Sequence, residues 1–443
     1  MLVAESFLSE SVPVDLASAD LQSSGDDRRR FAIDGREPQK VVFPESIEQV
    51  SAVLRAAGEQ HLAVVPVGHG AFLHNGGVPR RYDLALSSQR LDRIVDYQPT
   101  DMTVTVEAGM TLARLQDVLG ENGQWLPVDP PLPEQATVGG IIAANLSGPT
   151  RLSQGTIRDF LIGLKVVQAN GAVIKGGGRV VKNVAGYDLP KLYCGSLGTL
   201  GVIVEATFKV RPRPEAQAVL LLRFSSAEQA MELVLRLLGS ELQPFFLELA
   251  SFDPLVEKSG DTIYRLIVGF AGIAEEVAYQ RARVRDELRE NQGSIFEGWQ
   301  EGEEQALLQT LRNFPVSGEA VLRCKTSLLS TQVAAFCKNV QEEASLYGLS
   351  VRHLARAGNG IVYSRFLRST ADSSEKLPSL VNWLRILAKK LEGYVVVEAI
   401  DPVLKERVDV WGHVGGAFPL MKRLKETLDP QGILSPGRFA GGI

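Results

Sequence analysis

Three glycine-rich segments carry the residue types in this chain that could do chemistry. They are residues 66–71 (PVGHGA), 136–148 (ATVGGIIAANLSG) and 182–201 (KNVAGYDLPKLYCGSLGTLG). Because glycine has no Cβ, a glycine backbone adopts positive φ easily and its amide can come close to a phosphate oxygen. Three such segments in one part of a chain predict a large anionic cofactor that is held mainly by main-chain amides.

The common nucleotide-binding fingerprints do not account for these segments. Residues 68–73 (GHGAFL) begin like the dinucleotide motif G-x-G-x-x-G but have leucine in place of the third glycine. Residues 176–181 (GGGRVV) depart from the motif in the same way, and no G-x-x-x-x-G-K-S/T motif occurs. The sequence therefore predicts cofactor loops of a different kind.

A short run of alternating elements is predicted to deliver the first glycine-rich segment. Residues 41–44 predict a strand, and Ser46 is a predicted N-cap, with Gln49 completing a capping box. Apolar residues then recur at helical spacing, and the apolar run 62–67 predicts a buried strand. The segment is thus predicted to follow a β-α-β unit, for which we expect a right-handed crossover.

The same patterns predict the elements of the remaining chain. In the first half we predict strands at 82–87, 103–109 and 201–214, a helix at 111–121, and a hairpin with an Asn170-Gly171 turn. In the second half we predict strands at 219–224 and 264–270 and amphipathic helices at 226–238, 274–291 and 376–391. The second half therefore predicts an α+β domain with an antiparallel sheet.

These elements divide the chain into four predicted parts. They are an N-terminal arm (1–35), a cofactor-binding domain (36–214), a cap or substrate-type domain (215–405) and a C-terminal segment (406–443) that returns to the cofactor-binding domain. The boundary after residue 214 follows a strand end that contains Pro212 and Pro214. Glycine becomes frequent again after the boundary at residue 405.

Composition excludes several classes of function and indicates a compartment. The net charge of -5 argues against a nucleic-acid-binding surface. No run of eighteen apolar residues occurs, and the N-terminus lacks the basic region of a signal peptide. The three cysteines have no metal-ligand spacing, so we expect structural thiols in a cytoplasmic protein.

The order of the motifs resembles the flavin domain shared by vanillyl-alcohol oxidase and p-cresol methylhydroxylase. The first glycine-rich loop is followed by T-V-G-G with A-A-N-x-x-G, then G-x-x-R-D, K-N-V-A-G-Y-D-L and G-S-L-G-T-L-G. The match covers about residues 38–214 and 405–439. It implies an α+β fold: a two-subdomain FAD-binding domain plus an α+β cap domain with an antiparallel sheet.

Three further motifs narrow the resemblance. RAGNG at 356–360, DVWG at 409–412 and DPQGILSPGRF at 429–439 are similar to the E-type, FAD-binding subunits of glycolate oxidases.

The resemblance implies a role for each position that matches its motifs. The FAD pyrophosphate is expected to be wrapped by main-chain amides of Pro66, Val67, Gly68, His69, Gly70, Ala71 and Phe72. The pyrophosphate and the isoalloxazine side are expected to be lined by Thr137, Gly139, Gly140, Ala144, Asn145 and Gly148. We expect Gly155 near the flavin or ribityl chain, the backbone of Val202 and Ile203 at the adenine, and Arg438 either approaching the flavin or locking the tail.

Departures from the family pattern are informative too. Some members carry, at the position of Ala71, the histidine that bonds covalently to FAD, so we expect non-covalent FAD and interpret His69 as a loop residue. Ser435 stands where the family commonly has asparagine, which puts that side-chain contact in doubt. Residues 356–363 (RAGNGIVY) replace a metal-binding segment of the type H-x-G-D-G-N-x-H, so we expect no metal site. No catalytic residue is predicted.

Three functional interpretations stay open. The first is the FAD-binding subunit of a glycolate oxidase complex that oxidises glycolate to glyoxylate, with a sister FAD- and metal-containing subunit and an iron–sulfur subunit. The second is a self-sufficient FAD-linked oxidoreductase of an unknown 2-hydroxy acid or alcohol, with His353, Tyr363 or His413 as base. The third is a non-catalytic assembly subunit stabilised by its flavin. Any peripheral membrane association would go through partner subunits.

Overall fold

A computed structural model describes residues 25–178, 188–255, 264–289, 294–296, 303–368 and 374–443. Most of the predicted N-terminal arm, residues 1–24, lies outside the described residues, and so does the stretch 182–187 of the third glycine-rich segment.

The first part of the chain alternates short strands and helices. Its strands are β1 (Lys40–Val42), β2 (Val64–Val67), β3 (Leu84–Ser87), β4 (Ile94–Gln98), β5 (Thr103–Glu107), β6 (Gln124–Trp125), β7 (Leu161–Val167), β8 (Val173–Gly177) and β9 (Val202–Lys209). Its helices are α1 (Gly25–Arg30), α2 (Ile47–Glu59), α3 (Leu112–Gly120), α4 (Val138–Ala144), α5 (Arg151–Gln154), α6 (Ile157–Phe160) and α7 (Leu189–Tyr193).

Two sheets organise these strands. Counting only described residues, β1, β3 and β2 lie in that order in a parallel sheet, and β4-β5-β9-β7-β8 form an antiparallel sheet. Helix α2 connects β1 to β2, as the predicted β-α-β unit requires, but β3 lies between the two strands. A local sequence pattern predicts that a segment forms a strand, but not which strands pair with it. The position of β3 between β1 and β2 therefore becomes known only from the structure.

Local capping and turn signals are confirmed. The Ser46 hydroxyl accepts a hydrogen bond from the Gln49 amide at the start of α2. The Gln49 side chain reaches back to the amide of Glu45, one residue before the expected partner. Strands β7 and β8 pair antiparallel across the Asn170-Gly171 turn, where Gly171 has a φ of 80°.

The second part of the chain has longer strands and helices. Its strands are β10 (Arg211–Pro212), β11 (Ala216–Phe224), β12 (Phe246–Ala250), β13 (Tyr264–Gly272), β14 (Ser294–Phe296), β15 (Leu322–Ser327), β16 (Leu349–Arg356), β17 (Ile361–Arg368) and β18 (Tyr394–Ile400). Its helices are α8 (Ala227–Leu238), α9 (Ala274–Arg289), α10 (Glu303–Asn313), α11 (Val333–Leu346), α12 (Leu377–Lys390), α13 (Pro402–Lys405) and α14 (Phe418–Leu428).

One large antiparallel sheet dominates this part. In the described residues its strand order is β14-β11-β13-β12-β16-β17-β15-β18. Alternate residues of each strand face opposite sides, so Leu222 packs among helices α8, α9, α11 and α12, whereas Leu221 packs on the other face with Leu307 and Leu311 of α10. The predicted α+β second domain with an antiparallel sheet is confirmed. The boundaries after residues 35, 214 and 405 stay predictions.

The predicted strand 201–214 is divided in the structure. Strand β9 ends at Lys209, and β10 leaves the five-stranded sheet to pair antiparallel with β6. The C-terminal segment runs along β2, because the Val64 amide donates to the Ile433 carbonyl and the Ser435 amide donates to the Val64 carbonyl, both at 2.8 Å. None of the helices in the described ranges is both long and apolar enough to cross a bilayer.

Candidate functional site

Two adjoining clefts are lined by the residues that could bind a ligand or take part in catalysis. The first, the glycine-lined cleft, lies between the loop after β2, the start of α4, the start of β9 and the C-terminal tail, and its space, including its open mouth, is about 860 Å³. All but three of the seventeen predicted cofactor residues line it: Pro66, Val67, Gly68, His69, Gly70, Ala71, Phe72, Thr137, Gly139, Gly140, Ala144, Val202, Ile203 and Arg438. Residues that lie far apart in the sequence therefore meet in one place.

The loop after β2 has a backbone that requires glycine. Gly70 has a φ of 87°, which side-chain-bearing residues rarely adopt. A Cβ on Gly68 would lie 2.3 Å from the Thr137 hydroxyl oxygen and 2.8 Å from its methyl carbon. The loop can therefore lie against the start of α4 only because position 68 has no side chain.

Helix α4 is fixed on both sides by short contacts. Thr137 is its N-cap, and the Thr137 hydroxyl accepts from the Gly140 amide at 3.2 Å. A Cβ on Gly139 would lie 2.9 Å from that of Ala108, so glycine lets the helix pack closely on the end of β5. Asn145 ends the helix in the left-handed conformation with a φ of 48°.

The end of the third glycine-rich segment completes the wall of the cleft. Leu197 and Gly198 have φ values of 50° and 70°, and the Leu197 amide donates to the Ala143 carbonyl of α4 at 2.8 Å. Both residues line the glycine-lined cleft, although they were not among the predicted cofactor residues. The G-S-L-G-T-L-G motif is the sequence signal that could have identified them.

Arg438 ties the C-terminal tail to the loop that follows the first glycine-rich segment. Its guanidinium donates to the carbonyls of Leu73 at 2.7 Å, Asn75 at 2.5 Å and Gly77 at 2.9 Å. Burial lowers the pKa of Arg438 to about 10, and the nearby Asp34 acts in the opposite direction. Of the two predicted roles, these contacts favour locking of the tail, at a position that also lines the cleft.

The three remaining predicted residues lie outside the glycine-lined cleft. Asn145 lines the neighbouring cleft. A Cβ on Gly148 would lie 1.8 Å from the Asp129 carbonyl oxygen, so packing requires this glycine. Gly155 has a φ of 88° and faces the carboxylate of Asp159. Neither Gly148 nor Gly155 is among the residues that line the two clefts.

The second, charged cleft adjoins the first, and its space, including its open mouth, is about 1360 Å³. Phe72, Ala144 and Leu197 line both clefts and so mark the place where they meet. The wall from the large sheet carries the polar groups, which are Lys325, Tyr363, Tyr394 and Glu398, and His413 follows from the tail. Lys325, Tyr394 and Glu398 belong to no motif that the sequence analysis identified.

The three bases considered from the sequence are separated by the structure. Tyr363 and His413 line the charged cleft. His353 is 1% exposed on the opposite face of the sheet, where its Nδ1 lies 3.0 Å from the Ser364 hydroxyl. Burial lowers the pKa of His353 to about 4, so this histidine is a neutral core residue at a distance from both clefts.

The segment 356–363 contains the charged residue Arg356 and lacks the metal-binding histidines and aspartate of the family pattern. The Arg356 guanidinium donates to the Ser147 hydroxyl at 2.9 Å and carbonyl at 2.6 Å, and it lies 4.9 Å from the centre of the Tyr363 ring. Within the described ranges, no group of three or more His, Cys, Asp or Glu side chains could hold a metal ion. The absence of a metal site stays a prediction.

The glycine-lined cleft fits FAD in its donors and its charge. The amides of His69, Gly70 and Ala71 have no acceptor within the described part of the chain, so they can donate to a diphosphate. Among the described lining residues none is acidic, and Arg438 is a cation. An anion held by amides is the ligand that this arrangement suits.

Comparisons with known proteins agree with this cleft. Residues 38–177 match the FAD binding domain family, and residues 213–439 match the family of FAD linked oxidases, C-terminal domain. The glycolate oxidase subunit GlcD of Bacillus subtilis (strain 168) is 27% identical over 91% of this chain and 89% of that protein. The D-lactate dehydrogenase of Archaeoglobus fulgidus is 28% identical over 90% of each chain. The glycolate oxidase subunit GlcE of Escherichia coli (strain K12) is 44% identical, over 31% of this chain and 39% of that protein.

Solved structures show the fold. A p-cresol methylhydroxylase with bound substrate has a TM-score of 0.71 at 19% identity, over 95% of this chain and 93% of that one. The 4-ethylphenol oxidase of Gulosibacter chungangensis has a TM-score of 0.70 at 16% identity, over 95% and 91%. The predicted vanillyl-alcohol oxidase / p-cresol methylhydroxylase fold is thus confirmed. Because the second family match covers more than half of the chain, this protein belongs to the FAD linked oxidases and is an FAD-dependent oxidoreductase.

Proposed function

We propose that this protein is the FAD-binding subunit of a complex that oxidises glycolate to glyoxylate. The observation that carries the proposal is the charged cleft, which meets the glycine-lined cleft at Phe72, Ala144 and Leu197 and is itself lined by a lysine, Lys325. A small 2-hydroxy acid is an anion and suits such a wall. Relatives along most of the chain are named for glycolate and D-lactate, which supports a 2-hydroxy acid as substrate.

The chemistry divides between the cofactor and the chain. FAD held in the glycine-lined cleft would supply the acceptor for the electrons of the oxidation. The chain provides the binding site. Apolar Phe72 and Leu197 limit water where the two clefts meet, and Lys325 of the charged cleft holds the substrate anion.

Partner subunits form part of this proposal. The relatives GlcD and GlcE are both named as subunits of glycolate oxidase, which supports assembly with a sister flavoprotein. In the proposed complex that subunit also holds a metal, and an iron–sulfur subunit passes electrons onward. The FAD of this chain is then non-covalent, and contact with a membrane would come from the partners.

The test uses the visible spectrum of the flavin under anaerobic conditions. We expect glycolate to leave the flavin of the purified chain oxidised, and to bleach it once the partner subunits are added. A flavin that never changes its redox state in the complex would contradict the proposal and favour an assembly subunit.

A self-sufficient oxidoreductase is the second candidate. Tyr363 and His413 line the charged cleft, so the chain has groups that can take up a proton beside the FAD site. Rapid bleaching of the flavin by glycolate or D-lactate in the isolated chain would establish this alternative.

A further inference from the structure

Two opposite charges face the charged cleft from neighbouring strands. Lys325 lies on β15 and Glu398 on β18, which pair antiparallel, and both residues line the cleft. They are close enough for Lys325 to be the strongest charged influence on Glu398. Within the described residues they nevertheless form no ion pair with each other. The two charges can therefore hold different groups of one small ligand.

A β-bulge places Glu398 at this wall. Arg323 pairs with Ala399 and Cys324 pairs with Val397, so Glu398 is an extra residue with no opposite on β15. Bulges are frequent beside active sites, where they redirect a side chain. The bulge thus presents a carboxylate to the cleft without interrupting the apolar packing of Val397 on the other face.

Positive charge dominates the surroundings of Glu398. Burial raises the pKa of this carboxyl group, and Lys325, Arg356 and Arg323 oppose that rise. The two arginines are engaged, Arg356 by Ser147 and Arg323 by main-chain carbonyls of the loop 315–318. Arg356 also faces the buried carboxyl groups of Glu248 and Asp129, so among the described residues that line the cleft Lys325 and Glu398 are the two opposite charges.

Lys325 is the cation that remains for a ligand. Its recorded contact within the described part of the chain is with the Tyr363 ring, whose centre lies 5.9 Å from the ammonium nitrogen. An ammonium group has three donors and no acceptor, and it pairs well with a carboxylate. Tyr363 is 6% exposed, so its ring is a fixed support for the lysine.

From this arrangement we infer that the charged cleft binds a small 2-hydroxy monocarboxylate without a metal ion, with Lys325 pairing with the carboxylate and Glu398 accepting a hydrogen bond from the hydroxyl group. The inference rests on the proposed substrate class, and it assigns Lys325 and Glu398 as the residues that recognise it. A second carboxylate on the ligand would face Glu398 and be repelled.

Ligand-observed NMR of the FAD-loaded chain, with EDTA present and oxygen excluded, tests this inference. Acetate has only the carboxylate, and glycolate has both groups. We expect Lys325→Met to weaken both ligands by roughly tenfold to a hundredfold, the usual cost of losing a hydrogen bond to a charged group. Glu398→Gln should weaken glycolate several-fold and leave acetate binding as tight or tighter, because the amide oxygen is a weaker acceptor without charge.

Matched controls come from the exposed surface of α11. Lys338→Met and Glu342→Gln remove the same charges away from both clefts and should bind both ligands like the wild type. The visible flavin spectrum and the thermal midpoint establish that each variant is folded and loaded.

Several results would overturn the inference. They are unchanged binding in Lys325→Met, equal weakening of acetate and glycolate in Glu398→Gln, and glycolate binding by the wild type only after a divalent metal ion is added. Failure of the proposed function has a different signature. In that case the variants behave as expected, but glycolate never reduces the flavin, even with the partner subunits.

Discussion

The side chains at positions 69 and 71 lie in the loop that follows β2, at the wall of the glycine-lined cleft. Ala71 has no nucleophile and cannot form a bond to the flavin ring. Burial lowers the pKa of His69 below its ordinary value, and the charge of Arg30 adds to this effect. Because position 71 offers no attachment point and His69 is interpreted as a loop residue, we expect the FAD to be held by non-covalent contacts.

Acid precipitation tests the mode of attachment. All of the FAD should stay in the supernatant, and the pellet should be colourless, because no covalent link holds the cofactor. His69→Ala should release it in the same way. A yellow pellet that loses its colour in His69→Ala would show instead that His69 is an attachment point.

His353 makes stability depend on pH. Its ring is buried, and its pKa of about 4 lies below the ordinary value of 6.5, although a contact with the Cys337 backbone opposes the shift. Between these values the unfolded chain binds a proton at this position and the folded chain does not, so the free energy of unfolding decreases as the pH falls from 6.5 towards 4. For a shift of this size, the contribution is about 3 kcal/mol.

The variant His353→Gln isolates that contribution. We expect its free energy of unfolding, from urea denaturation at several pH values, to fall less steeply over this range than that of the wild type. His74, whose pKa burial also lowers to about 4, contributes equally to both proteins. Parallel pH profiles would contradict the assignment.

At the scale of elements, Arg438 joins the C-terminal tail to the loop 73–77. It is 4% exposed, and its guanidinium supplies the donors for three main-chain carbonyls. Arg438→Met should lower the free energy of unfolding by roughly 3 kcal/mol, because buried carbonyls lose charged donors, and should accelerate the loss of FAD. Urea denaturation and flavin release on dilution measure both effects. Arg423→Met, on the exposed side of α14, is the control and should change neither.

Local signals predicted elements better than their arrangement. The Ser46 cap and the Asn170-Gly171 turn depend on neighbouring residues, and both are confirmed. The position of β3 between β1 and β2 and the pairing of β10 with β6 depend on distant residues, so no local pattern contains them. The β-bulge at Glu398 also depends on distant residues, because it is defined by the pairing of β18 with β15.

At the scale of the whole molecule, the large sheet closes over the FAD-binding part through a few long-range contacts. The Leu132 amide donates to the Asn313 side chain at 3.0 Å, and the Ser153 hydroxyl donates to the Phe245 carbonyl at 2.9 Å. Arg356 bonds to Ser147 across the same interface. These contacts set the charged wall beside the glycine-lined cleft.

The order of the glycine-rich motifs was sufficient to predict most of the residues that line the glycine-lined cleft, whereas the charged cleft needed coordinates. Gly70 has the positive φ that glycine-rich loops commonly adopt, whereas the need for glycine at position 68 comes from its contact with Thr137. Lys325 and Glu398 are ordinary strand residues until the sheet is placed over the cofactor part.

Binding of FAD to the flavin-free chain tests the central claim most directly. Calorimetric titration should give one FAD per chain for the wild type. In Gly68→Val, the new side chain meets Thr137, and overpacking of this kind should weaken binding by roughly tenfold to a hundredfold. Gly416→Val, at an exposed glycine with open space around its Cβ position, should bind like the wild type. Equal affinity in all three proteins, or no binding by the wild type, would contradict a glycine-lined FAD site.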